Sequence, residues 1–250
     1  MTKIDKALEH ARANRGPEEP RSGLRRGELQ DRVLSALRHG LMSGAFVPGQ
    51  VLSLRKIAER LGTSPMPVRE ALSQLLAINA LEIIESRSVR VPRLDEERIK
   101  ELIAVRVANE GMAARFACER QAPELIDTLS SINEKLLASI SARDLQGCLR
   151  HNKSFHFTLY GAAQMSILMP LIESLWLLCG PTMYLTLLSP DVPWDAAAHF
   201  EILEGMRQRD CDLVEQAIVN DIRRSSSHLG VGSMLYNLDG ALPLQPLEHE

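Results

Sequence analysis

Two sets of residues in this chain combine type and spacing in a way that could do chemistry. The first lies in the stretch Leu52 to Arg69, LSLRKIAERLGTSPMPVR. Arg55 and Arg69 each carry a guanidinium, which can pair with guanine O6 and N7 through two parallel hydrogen bonds or hold a phosphate. Ser64, just ahead of Pro65, stands where a helix would begin, and the backbone N–H groups of a helix start suit a phosphate oxygen. The second set is spread over the C-terminal half. Asn152 and His156 are four apart, so on a helix they share one face, one turn from each other. His199 and Asp221 follow much later, and Arg106 precedes Glu110 by one turn. By themselves these residues leave two readings open. A lone His156 is at home as a hydrogen-bonded core histidine, and Arg106 with Glu110 as an intrahelical ion pair worth roughly a few tenths of a kcal/mol. His151 points about 100° away from Asn152 and falls outside the set.

The elements that must position the first set are short. Leu54, Ile57, Ala58 and Leu61 make an apolar stripe at helical spacing, with Arg55, Lys56, Glu59 and Arg60 elsewhere on the surface. Gly62 ends that helix, Ser64 is placed to cap the next, and Pro65 costs no hydrogen bond in a first turn. Val68, Ala71, Leu72, Leu75 and Leu76 turn inward on the second helix and leave Arg69 outward. This is helix-turn-helix patterning, with the second helix as reader of a major groove. Ahead of it, Leu29, Val33, Leu37 and Leu41 recur at four-residue steps through a helix from Leu24 to Met42, which Ser43-Gly44 stops. Pro48-Gly49 marks a turn. Behind it, Leu81 to Glu85 and Val89 to Pro92 are short and β-prone, and they read as a two-stranded hairpin. Together these elements predict a winged helix over residues 24–93.

After Pro92 the pattern is helical throughout. Helices are expected over Ile99 to Arg120, Glu124 to Ala142, Leu145 to Ala163, Ile167 to Leu188, Ala196 to Arg207 and Leu213 to Arg224. No fixed-period repeat links them, so residues 94–228 predict an antiparallel six-helix bundle rather than a solenoid, and the fold class is mainly α. Residues 1–23 mix charges with Gly and Pro and read as a flexible arm, and residues 229–250 form an aperiodic tail.

Charge separates the two halves. Residues 21–93 hold 12 basic and 6 acidic side chains, whereas residues 94–250 hold 13 and 22, so a basic front precedes an acidic back. The front suits a polyanion and the back would repel one. Cys118, Cys148, Cys179 and Cys211 are widely spaced and form no C-x-x-C pair; without a secretory signal they read as reduced thiols in the cytoplasm. The apolar run Ser166 to Leu188 approaches the length of a membrane span. Glu173 within it, with Pro170 and Pro181, favours a buried core or dimer helix instead.

The string SGAFVPGQVLSLRKIAERLGTSPMPVREAL resembles the DNA-binding signature of the GntR family of bacterial regulators. The helical remainder is similar to the FadR-like branch with its FCD effector domain, and the resemblance spans residues 24–228. It implies a homodimer on a double-stranded DNA operator of inverted-repeat form, contacted by Arg55, Ser64 and Arg69, with Arg87 and Arg90 of the hairpin as phosphate contacts. It also implies a divalent metal, Zn²⁺ with Ni²⁺ or Mn²⁺ as alternatives, held by Asn152, His156, His199 and Asp221. In the family pattern an Asp stands at Asn152 and a His at Asp221, so one negative charge is kept but moved. Arg106 corresponds to the arginine that meets an effector carboxylate in the pocket. The chain departs from the DNA-binding pattern at Pro65, where an Arg is frequent, at Met66, where Thr is frequent, and at Ser88, where Gly is usual. Loss of that arginine implies an altered operator preference.

Three functions fit these readings. The first is a ligand-responsive transcriptional regulator, a repressor released or modulated by a small carboxylate, working in the bacterial cytoplasm with no membrane partner. The second is a metal-dependent enzyme using the bundle site, which would leave the basic winged helix unexplained. The third is an architectural DNA-binding dimer with a vestigial pocket.

Overall fold

The computed structural model describes residues 26–84, 88–188 and 195–226. The expected arm, the hairpin tip with Arg87, the loop around Pro190 and the C-terminal tail lie outside these residues. Helix α1 spans Arg26–Met42 and buries Val33, Leu37 and Leu41, the four-step stripe of the sequence. It ends as a glycine-capped helix should: Gly44 takes φ +66°, its N–H bonds to Leu41 O, and Ala45 N–H returns to Gly40 O. The following turn, Val47 to Gln50, is closed by Gln50 N–H to Val47 O at 3.1 Å, with Gly49 at φ +82° behind Pro48.

That turn leads into a strand that the periodicity did not show. β1 is only Val51–Leu52, too short for a two-residue alternation to register, and it pairs antiparallel with β3, Ser88–Arg90. β3 also pairs with β2, Glu82–Ile84, so the expected two-stranded hairpin is a three-stranded sheet in the order β1-β3-β2. Between β1 and β2 lie α2, Leu54–Arg60, and α3, Pro65–Ala77. The Ser53 side chain accepts Lys56 N–H to start α2. Gly62, at φ +59°, closes α2 with two returning N–H bonds, Gly62 to Glu59 O and Thr63 to Ala58 O. Val68, Ala71, Leu72 and Leu75 are buried against α1 and leave Arg69 exposed.

Six helices follow: α4 Glu96–Glu119, α5 Leu125–Ser141, α6 Leu145–Ala162, α7 Leu168–Leu188, α8 Ala197–Gln208 and α9 Cys211–Ser226. Aspartates start three of them: Asp95 accepts Arg98 N–H, Asp144 accepts Gly147 N–H and Asp210 accepts Leu213 N–H. Only residues 142–144 separate α5 from α6, and only 209–210 separate α8 from α9, so each pair can pack along its length only as an antiparallel hairpin. The core is built from Leu129, Phe155, Leu159, Tyr160, Ile172, Trp176, Leu177 and Ile202, all of them fully buried.

The winged helix is seated on this bundle through α1 and α7. A Cβ added to Gly180 of α7 would lie 2.3 Å from Leu41 O, so the two helices touch where only a glycine fits. Arg38 of α1 pairs with Glu173 of α7, and His39 Nδ1 lies 2.9 Å from Lys153 Nζ of α6. Val47, Leu149, Tyr184 and Leu185 add a small apolar cluster at the same junction. The segment Leu168–Leu187, with mean hydropathy 1.3, is long and apolar enough to span a membrane. Here it is a core helix, burying Ile172, Trp176 and Leu177, and Glu173 meets Arg38.

Candidate functional site

The helix-turn-helix exposes the groups that sequence placed there. Arg55 lies in the first turn of α2, Arg69 in the second turn of α3, and both are exposed, as is Ser64 ahead of α3. Ser64 has the extended backbone of an N-cap, yet its side chain makes no capping hydrogen bond, contrary to the expectation. The reason is chemical. An N-cap oxygen accepts from the second or third helical N–H, and the third residue here is Pro67, which has none. With Pro65 also lacking a hydrogen, this helix start has backbone donors only on Ser64 and Met66, so it has less to offer a phosphate than an ordinary start. Arg90 is not an unattached wing cation either: its Nε donates to Glu82 Oε1 at 2.7 Å across the β2–β3 pair. Arg87 lies outside the described residues.

In the bundle the second set does converge. His156 on α6, His199 on α8 and Asp221 on α9 offer Nε2, Nε2 and a carboxylate oxygen, with one ligand atom from each lying within 4.8 Å of the others. His156 Nε2 is 3.3 Å from Asp221 Oδ2 and 3.4 Å from His199 Nε2. The other ring nitrogens fix the tautomers. His199 Nδ1 is 3.1 Å from Asn133 Oδ1, which can only accept, so the ring proton sits there. Tyr160 donates its hydroxyl proton to Glu110 Oε2 at 2.8 Å, so its oxygen is left to accept from His156 Nδ1 at 3.1 Å. The two Nε2 atoms therefore face each other and the Asp221 carboxylate. Burial, then the neighbouring His156, pushes the His199 pKa down to about 3, while Asp221 pulls weakly upward. Asp221 is held below the usual carboxylate range although its burial acts the other way, because His156, His199 and Arg106 favour its charged form. A nearly dry pair of imidazoles with one carboxylate is a donor set suited to Zn²⁺, Ni²⁺ or Mn²⁺.

Arg106 lies one layer deeper. It is 4% exposed, and it is paired with Glu110, which is 0% exposed, through Nε to Oε1 at 2.6 Å and Nη2 to Oε2 at 3.3 Å. Glu110 Oε2 also accepts Trp176 Nε1 at 3.0 Å. The intrahelical ion pair and the pocket arginine are thus the same residue. Glu110 supplies the anion that a buried guanidinium needs, and Arg106 still lines the cavity with donors to spare. The cavity, about 120 Å³, is bounded by Arg106, Asn152, His199 and Asp221 at its polar end. Leu136, Ile140, Leu149, Met183 and Leu187 form its apolar wall, and the Asp195–Arg224 ion pair at 2.7 Å stands at its edge. Asn152 lines this cavity one turn before His156, half-buried. Sequence reasoning missed Asn133, Tyr160 and Trp176. Tyr160 lies four residues after His156 and so was legible as a face partner, whereas Asn133 and Trp176 reach the site only through the packing of α5 and α7.

Comparison with known proteins decides the family. Residues 29–91 match the family described as bacterial regulatory proteins, gntR family, and residues 101–224 match the FCD domain. The HTH-type transcriptional regulator McbR of Escherichia coli is 34% identical over 152 residues, which are 61% of this chain and 69% of that protein. This chain belongs to the GntR family. Within it, the gluconate operon transcriptional repressor of Bacillus licheniformis is 30% identical over 166 residues, covering 64% of this chain and 68% of that protein. A solved structure of E. coli McbR/YncC superposes with a TM-score of 0.74 and 26% identity, covering 84% of this chain and 99% of that one. The matched families and relatives are transcriptional regulators, so this GntR chain is a transcriptional regulator with an FCD domain, and the reading of its bundle site as an enzyme centre is set aside.

Proposed function

We propose that this FadR-like GntR regulator is a repressor that binds an inverted-repeat operator as a homodimer in the bacterial cytoplasm, nucleoid-associated when bound, and that a small carboxylate in the bundle cavity modulates it. The observation that carries the reading is the convergence of His156, His199 and Asp221, two of which, His199 and Asp221, line a cavity that Arg106 and Asn152 also line. His156, His199 and Asp221 would hold a divalent cation, with the Asn152 amide oxygen as a further ligand, and the cation would supply a positive charge on which a carboxylate oxygen can rest. With Arg106 already balanced by Glu110, one carboxylate against a divalent cation would leave a net positive metal centre, which favours an anion. Arg106 orients that anion through its remaining N–H groups.

Leu136, Ile140, Leu149, Met183 and Leu187 add an aliphatic part to the lining. It suits the apolar body of a small carboxylate, with Thr186, Ser225 and the Asp195–Arg224 pair as further polar partners. Dimerisation is supported by exposed apolar side chains, Val105 and Met112 on α4 and Ile167 and Leu171 at the start of α7, which a second copy would cover. On the DNA side, Arg69 and Arg55 supply base and phosphate contacts, with Ser64 beside them and Arg87 and Arg90 on the wing. A footprint of the full-length protein on its own upstream DNA at low salt tests the regulator. Absence of any protected inverted repeat would overturn it. A rise in melting temperature with Zn²⁺ after chelator treatment, lost in His156→Ala, tests the metal set.

A further inference from the structure

Two thiols stand outside everything described so far. Cys118, in the last turn of α4, is buried, and Cys211, the first residue of α9, is partly exposed. They are 93 positions apart in sequence, yet their sulfurs lie 2.7 Å from each other. A disulfide bond is about 2.05 Å long, so less than an ångström separates this contact from a covalent one. Neither residue touches the cavity or the triad of donors. The two helices are already clamped beside the pair: Arg115 of α4 bonds Glu215 of α9 at 2.6 Å and also pairs with Asp212. Four residues earlier Gly111 faces Glu215 and Val219 of α9, with a Cβ built there in ordinary contact with both. The two sulfurs are thus held face to face by helices that are already paired.

We infer that Cys118 and Cys211 are a reversible redox pair, joined as a disulfide when a peroxide reaches the exposed thiol. Cys211 is the sulfur that meets the oxidant, because it is the accessible one of the pair. Its sulfur attacks the peroxide O–O bond, giving a sulfenic acid and releasing water once the leaving hydroxide takes a proton. Cys118, sealed beneath it, then attacks the Cys211 sulfur. The S–O bond breaks, the S–S bond forms, and the Cys118 proton leaves with the oxygen as a second water. Two thiols and one hydrogen peroxide thus yield one disulfide and two waters. Burial and the hydrogen bond with Cys211 push the Cys118 thiol up to about 12, which keeps it protonated and unreactive until its neighbour has been oxidised. Cys148 and Cys179 are buried free thiols and serve as internal controls.

The test uses the reduced full-length protein treated with stoichiometric hydrogen peroxide. The expected product loses two hydrogen atoms in intact mass and contains a peptide linked through Cys118 and Cys211 that a dithiol reductant separates. Its melting temperature rises by roughly 5–10 °C, because the cross-link closes a long loop. Cys211→Ser abolishes the linked peptide and the rise, whereas Cys148→Ser keeps both. Oxygen addition at Cys211 with no linked peptide overturns the inference, and so does retention of all four free thiols under peroxide that oxidises a model thiol.

Discussion

Glu110 is the residue on which the site depends most, although no motif singled out its full role. It accepts from Arg106, Tyr160 and Trp176 with no exposure to water, so removing it leaves a guanidinium and two donors stranded in the core. Glu110→Ala should lower stability by about 3–5 kcal/mol in urea unfolding; a change below ~1 kcal/mol would mean that Arg106 finds water or another anion. Sequence spacing showed Arg106 and Glu110 one turn apart but could not show that the pair is buried, because burial comes from α6 and α7 closing over it. Ser64 makes the opposite case. Its position before a proline reads as a cap, yet Pro67 removes the N–H it would accept, so Ser64→Ala should leave the unfolding free energy nearly unchanged, within about 0.5 kcal/mol. A loss of ~1 kcal/mol or more would show that the cap forms in solution. Pro65→Arg, which restores the guanidinium frequent in the family, should shift the preferred operator in a randomised-site selection; an unchanged preference would show that position 65 reads no base.

At the scale of elements, the helices were readable because each carries an apolar stripe over several turns and most begin on an aspartate or serine. The third strand was not, since Val51–Leu52 exists only because β3 lies alongside it. The junction of α1 with α7 was equally invisible, although it ties the DNA-reading head to the helix beside the cavity. Gly180 is its narrowest point. Gly180→Ala drives a methyl against Leu41 O and should cost about 1–3 kcal/mol by thermal unfolding, with the operator response to effector weakened more than the basal fold. A variant as stable as the parent would show that α1 and α7 slide freely.

The whole molecule divides by charge as well as by fold, a basic head on an acidic bundle, and that division was visible from the order of residues alone. Of the four residues that sequence proposed for a metal, the structure brings His156, His199 and Asp221 together and places Asn152 on the wall of the cavity that His199 and Asp221 line. What sequence could not supply was the second row of partners, Asn133 and Tyr160, that hold the two imidazoles in place. The most direct test of the account is the affinity of full-length protein for its operator, measured at fixed salt with the bundle site stripped, loaded with Zn²⁺, and loaded with Zn²⁺ plus short-chain carboxylates. The account predicts that metal with carboxylate changes operator affinity about fivefold or more, and that His156→Ala no longer responds. Equal affinity in all three states, or the same response from His156→Ala, would contradict it.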